Sequence, residues 1–147
     1  MIALIQRVLH AHVEIEARTV GSIQHGVLAL IGVERDDTHA SADRLLERVL
    51  TYRIFADEAG RMNRSLADVR GGLLLVPQFT LAADTRQGTR PGFSTAAAPE
   101  AARALFDHLI ERARALHAPL GAGEFGAHMR VSLVNDGPVT FWLQSGG

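Results

Sequence analysis

The sequence predicts an α/β domain in which a mixed β-sheet carries its two main helices on one side. Three observations lead there. Gly26-Val27-Leu28-Ala29-Leu30-Ile31-Gly32-Val33 is apolar on both alternating faces, the pattern of a strand covered above and below. Residues 39–52 and 99–117 each carry one apolar stripe at helical spacing. The elements run strands, helix, strand, helix, strands, which layers both helices on a sheet. At 147 residues, with no internal repeat and no linker, the chain reads as one domain, residues 1–147.

Taken in order, residues 2–9 read as a buried strand, and His10 to Glu16 alternates strictly with Ala11, Val13 and Ile15 on one face. Val20-Gly21-Ser22-Ile23 continues the sheet, and the apolar run from Gly26 lies centrally. Asp36-Asp37-Thr38 offers N-cap candidates for the first helix. Leu45, Leu46, Val49 and Leu50 face inward, while Arg44, Glu47 and Arg48 face water. Asp57 to Arg61 is a turn, and Gly71 to Val76 is a second buried strand that Pro77 must end or bulge. Residues 82–94 show no periodicity, and a long loop straight after a buried strand is a frequent place for a site. Pro99 suits the first turn of the second helix, and Gly121 to Gly126 reads as a loop. The chain closes on two alternating strands, 128–134 and 139–143, flanking Asn135-Asp136-Gly137-Pro138, four strong turn formers that predict a hairpin.

Composition narrows the function classes. The net charge is −1, so no broad cationic surface exists for long nucleic acid, although a short nucleic-acid end is compatible. All 15 basic residues are Arg, a bias from which no mechanism follows. Zero cysteines exclude disulfides, thiol catalysis and thiolate metal sites. Residues 1–7 do not resemble a leader, and no segment approaches the ~20 apolar residues of a membrane span. The expectation is a soluble, cytoplasmic protein.

Several constellations contain residue types that could carry chemistry. His10, His12 and Glu14 share a strand face, but no further ligands join them, so the stripe reads as the wet side of a sheet and no metal is expected. Gly121-Ala122-Gly123-Glu124-Phe125-Gly126 matches G-x-G-x-x-G literally, yet a helix precedes it and a strand follows, the reverse of the dinucleotide fingerprint. Asp84 and Asp136 read as turn caps. Thr80 is the best isolated hydroxyl, but a threonine nucleophile needs a base and the sequence names none. What remains is backbone. Where the strand stops at Pro77, the N–H groups of Gln78, Phe79 and Thr80 can turn toward a developing oxyanion, whereas proline has none to offer.

With Ile5-Gln6-Arg7-Val8, Gln78-Phe79-Thr80-Leu81, Arg90-Pro91 with Phe93, and Asn135 through Thr140 in view, the chain resembles the D-aminoacyl-tRNA deacylases over essentially its whole length. The resemblance implies a three-layer α/β/β fold, and a homodimer with sites at the interface and no metal or other cofactor. It implies hydrolysis of the ester joining a D-amino acid to the 3′-terminal adenosine of tRNA, and activity on glycine mischarged on tRNA. DNA and membranes are not implied partners. By position, Gln78, Phe79 and Thr80 line the reaction pocket, and Gly137 and Pro138 form a Gly-cis-Pro gate that projects into the partner subunit's pocket. Arg7 braces that gate, Asn135 and Thr140 flank it, and Phe125 and Met129 wall the adenosine pocket. Much of the chemistry falls to backbone groups and to the adenosine 2′-hydroxyl, with an acyl-Thr80 intermediate as the alternative. One departure stands out: the family usually has serine where this chain has Pro77. The alternative reading is therefore a non-catalytic dimer that binds the tRNA acceptor end, its activity lost with Pro77.

Overall fold

The computed structural model describes residues 1–146. In chain order its first half contains β1 (Ile2–Ile15), β2 (Arg18–Ile23), β3 (Gly26–Gly32), α1 (His39–Thr51), β4 (Arg53–Ala56) and β5 (Met62–Ser65). Its second half contains α2 (Leu66–Val69), β6 (Gly72–Pro77), α3 (Pro99–Leu116), β7 (Leu120–Ala122) and β8 (Arg130–Gln144). β1 is the strand on which the others are registered. One edge pairs antiparallel with β8 from Ile2↔Gln144 to Glu14↔Arg130. The other edge pairs with β3 from Ile2 to Val8 and with β2 from Ala11 to Ile15. Beyond β3 the sheet continues in parallel through β6 and β7, so β3 is central, as its two-sided apolar pattern required.

A bulge in β1 creates the second β layer. Between Val8 and His10 the register against β8 slips by one residue. The period-two alternation of a strand then changes face. Met1, Ala3 and Ile5 lie in the core beneath the helices, whereas Val8, Ala11 and Val13 belong to a second core with Ile23, Leu28, Leu74 and Val76. The far half of β1, with β2 and the first part of β8, thus folds back over β6 and β7. The crossing is tight enough to demand glycine. A Cβ on Gly21 would lie 2.8 Å from the Ala122 carbonyl oxygen, and one on Gly72 would lie 2.7 Å from Ile23 Cβ. Helices, sheet and folded-back sheet give the expected α/β/β layering.

Both predicted helices form. Thr38 caps α1 in a reciprocal box with Ser41, and Leu45, Leu46, Val49 and Leu50 are buried. α3 begins on Pro99 and buries Ala102, Leu105, Phe106, Leu109 and Ala113. Asp37 has another task. The Met1 ammonium is enclosed by Asp37 Oδ1 at 2.6 Å, Glu34 Oε1 at 2.9 Å and the Ser145 carbonyl at 2.9 Å.

Residues 57–61 form the expected turn, and it closes a small hairpin, β4 against β5, that runs into α2. Two expectations are corrected. Gly121 is not in a loop: it lies in β7, a three-residue strand too short to show periodicity. The second correction matters more. Asn135–Pro138 does not reverse the chain, because β8 passes through it as one strand running alongside β1. Val8 pairs with Asn135 and Gln6 with Thr140, so four residues of β8 stand opposite Arg7 alone. The turn formers build a bulge, and the local signal for a bulge and for a hairpin is the same chain kink.

Candidate functional site

β6 ends at Pro77, opposite Ile31, and the chain tightens into a 3₁₀ turn at Phe79–Ala82. Gln78 N–H still donates to the Ile31 carbonyl at 2.7 Å. Phe79 and Thr80 open the turn, and among the described residues no acceptor meets either N–H. Two adjacent donors therefore face outward from a strand end. Proline at 77 has no N–H to give to the chain beyond β7, where Gly123 N–H donates to the Leu75 carbonyl at 2.8 Å and a Cβ on Gly123 would lie 3.3 Å from Pro77 Cδ. The Gln78 side-chain amide donates to Thr80 Oγ1. No carboxylate or imidazole bonds that hydroxyl among the described residues, so nothing there can take its proton.

Two aromatic rings stand beside these donors. Phe79 is 59% exposed and Phe93 44%, with centroids 5.5 Å apart. Pro77, Phe79 and Phe125 share the lining of a small apolar pocket. Met129 lies next to it, since a Cβ on Gly123 would meet Met129 Sδ at 2.8 Å and Pro77 Cδ at 3.3 Å. Arg103 of α3 was missed from the sequence. Its guanidinium covers the Phe125 ring at 5.1 Å, and only the fold distinguishes it from any other wet helix residue.

Residues 84–92 form a loop closed at its base by paired backbone bonds, Asp84 N–H to the Gly92 carbonyl at 2.7 Å and Gly92 N–H to the Asp84 carbonyl at 3.0 Å. Asp84 caps the loop as expected, accepting from Arg86 N–H at 3.1 Å. Hydrogen bonds from the Arg86 guanidinium, then from its N–H, hold the Asp84 carboxyl far below its usual range, to about 2.

A second group surrounds the β8 bulge. Arg7 Nε lies 3.2 Å from both the carbonyl and the carboxylate of Asp136, while Nη1 donates to the Ile54 carbonyl at 2.8 Å. Asn135 Oδ1 accepts from Val139 N–H at 3.1 Å, and Asn135 Nδ2 reaches Thr140 Oγ1 at 3.1 Å, closing the loop across its own neck. Gln6 Nε2 donates to the same hydroxyl at 3.2 Å. Gly137 and Pro138 stand at the exposed tip, joined by a cis peptide bond.

The structure thus gathers Gln78, Phe79 and Thr80 with Phe125 and Met129, and separately gathers Arg7, Asn135, Gly137, Pro138 and Thr140. It does not bring the two groups together within one chain. Arg7 stands opposite Val27 and Pro77 opposite Ile31, about 13 Å apart along β3 at strand rise. A cavity of ≈ 460 Å³ around Glu14, Glu16, His128 and Arg130 includes no residue of either group. Beside it His12 Nε2 lies 2.9 Å from Glu14 Oε1, a pairing within the histidine stripe itself.

A family model described as D-Tyr-tRNA(Tyr) deacylase matches residues 4–144. A D-aminoacyl-tRNA deacylase of Thioalkalivibrio sulfidiphilus (strain HL-EbGR7) is 66% identical over 144 residues, covering 98% of this chain and 97% of that one. One of Alkalilimnicola ehrlichii (strain ATCC BAA-1101 / DSM 17681 / MLHE-1) is 61% identical over 145 residues, covering 99% and 97%. Among solved structures, a chain titled c-Myc DNA Unwinding Element Binding Protein superposes with a TM-score of 0.94 at 33% identity, each chain covered in full. A probable eukaryotic D-amino acid tRNA deacylase shares the fold, with a TM-score of 0.83 at 16% identity and 97% of each chain covered.

Proposed function

The chain belongs to the D-Tyr-tRNA(Tyr) deacylase family, and from that premise we propose how its residues divide the work of hydrolysing D-aminoacyl-tRNA. It is an enzyme of the D-aminoacyl-tRNA deacylase type, acting on an aminoacyl-tRNA ester, and a single domain is part of the proposed reading. The observation that carries the assignment of roles is the pair of outward N–H groups at Phe79 and Thr80 beside an exposed aromatic surface. When water attacks the ester carbonyl, negative charge grows on its oxygen, and preorganised backbone donors stabilise that charge without rearrangement. The terminal adenosine packs against Phe125 and Met129, and its 2′-hydroxyl assists the attack. Thr80 acts through its backbone. Its side chain accepts from Gln78 and meets no base, which counts against an acyl-threonine intermediate.

Chirality is sorted by Gly137 and Pro138, whose carbonyls enter the pocket of a second copy. A D-residue turns its side chain away from them, an L-residue drives into them, and glycine has nothing to clash. Two observations support a shared site. Gate and donors lie apart in one chain, and Leu9, Val134 and Trp142 stand 50%, 41% and 53% exposed along the β1–β8 pair. The cytoplasm, where charged tRNA is used, is the compartment proposed. The DNA-directed title of one structural relative is not carried over, since a net charge of −1 provides no duplex-binding face.

Amino-acid release from D-Tyr-tRNA, L-Tyr-tRNA and Gly-tRNA tests this, with light scattering on the same preparation. D-Tyr and Gly should be released and L-Tyr retained, by a particle of two chains. Equal D and L rates would remove the gate, and an active monomer would remove the shared site. Pro77→Ser should change unfolding stability by about 1 kcal/mol or less, because the ladder ends there. It should also leave the D/L selectivity in place, and a changed ratio in the release assay would give residue 77 a part in selection.

A further inference from the structure

We propose that the loop of residues 84–92 is a phosphate clip for the nucleic-acid 3′ end, with Arg90 gripping the phosphodiester on the 5′ side of the terminal nucleoside. The inference rests on the function proposed above and adds a contact outside the ester pocket. Two backbone bonds between Asp84 and Gly92 fix the loop's base, so it projects as a closed unit. Within it the charges are unequal. Asp84 is its only carboxylate, and that group is occupied by Arg86 in a bidentate pair at 2.9 and 2.8 Å. Arg90 has no ion-pair partner among the described residues, so the loop carries one uncompensated cation.

The space beside it suits an anion. Asp84, Arg86, Gln87, Arg90, Gly92 and Ser94 line a cavity of ≈ 410 Å³, and with Asp84 and Arg86 paired to each other, Arg90 is its one charged side chain without an ion-pair partner among the described residues. A guanidinium fork matches the paired oxygens of a phosphate. The carboxylate that would repel it is already neutralised. Position selects which phosphate. Phe93 follows Gly92 directly and lies against Phe79 at the N–H donors, the two rings tilted by 37°. In the proposed clip, a nucleoside ester held at Phe79 and Thr80 leads its 5′-phosphate toward the loop that Phe93 adjoins. Such a grip at the terminus alone is consistent with the near-zero net charge of the chain.

The test measures binding and hydrolysis separately. Affinity for a short single-stranded RNA ending in CCA is followed against salt for the wild type, Arg90→Ala, Arg90→Lys and Arg64→Ala. Arg64→Ala removes the same charge from an exposed position on β5. Arg90→Ala should weaken binding several-fold and reduce the slope of log affinity against log salt by about 0.7, one single-strand phosphate contact. Arg90→Lys should recover part of the loss, and Arg64→Ala should match the wild type. In hydrolysis, Arg90→Ala should lose more on D-Tyr-tRNA than on the phosphate-free D-tyrosyl ester of adenosine. An unchanged slope in Arg90→Ala, an equal change in Arg64→Ala, or equal losses on both esters would overturn the clip. If the wild type cleaves neither ester while the Arg90-dependent slope persists, hydrolysis is the reading that falls and the clip stands.

Discussion

Gly137→Ala is expected to lower kcat/KM on D-aminoacyl-tRNA about 100-fold, the scale set by an ångström-sized misplacement of a positioning group. Gly137 has φ of +132°, a region that side-chain-bearing L-residues rarely enter. A Cβ there would sit 2.6 Å from Val139 Cγ2, 3.0 Å from Val139 N and 3.2 Å from Arg7 Nη2. The first two are part of the bulge itself, and the third is the group that pins it. Relief therefore requires the tip to swing out or Arg7 to leave Asp136 and Ile54. Either movement takes the tip carbonyls from their place in the proposed gate, so D over L selectivity should fall along with rate. Backbone strain alone costs on the order of 1–3 kcal/mol, so the variant should still fold. Release assays with D- and L-Tyr-tRNA, alongside urea unfolding, separate the effects. Wild-type rate and selectivity in a folded Gly137→Ala protein would end the gate.

The same segment shows where reading a sequence stops. Asn, Asp, Gly and Pro identify a kink, but they do not say whether the chain returns on itself or continues. What distinguishes the two is the partner strand, more than a hundred residues away. In one arrangement 128–134 pairs with 139–143. In the real one both pair with β1, and Arg7 lies opposite the surplus residues. The slip near Leu9 was equally hidden, because alternation is clear on either side of it and only burial shows that the inward face has changed. The helices needed no partner to be visible, since Leu45, Leu46, Val49 and Leu50 write their stripe locally. The strand exit at Pro77 was legible for the same reason: proline ends donation wherever it stands. Arg103 and the empty hand of Arg90 were not legible. A cation's partners are settled only when distant segments come together.

Asp37→Ala is expected to cost roughly 3 kcal/mol or more of unfolding free energy, the range for removing one member of a buried ion pair. The Met1 ammonium is 0% exposed and the Asp37 side chain 3%. Asp37 Oδ2 also accepts the Glu34 N–H at 2.6 Å, so truncation strips a partner from two donors. Glu34 does not replace it, being 29% exposed and already shared with Gln144. Burial works to raise the Glu34 carboxyl, but hydrogen bonds from Gln144 and the Met1 ammonium, with the charge of the latter, hold it below its usual value. Its contribution to stability is therefore present above the unfolded carboxyl's pKa and is lost as pH falls through the lower folded value. Glu34→Gln should consequently flatten acid unfolding and cost less than Asp37→Ala at neutral pH. Urea unfolding across pH checks both, and equal costs at pH 7 would show that exposure does not rank the two carboxylates. The knot also bears on the site. Glu34 bridges to Ala96, and Arg35 N–H donates to the Thr95 carbonyl at 3.1 Å, so the chain that Asp37 anchors is the one holding the segment behind Phe93. Loosening it should raise KM before the fold is lost, through an aromatic surface no longer held against Phe79.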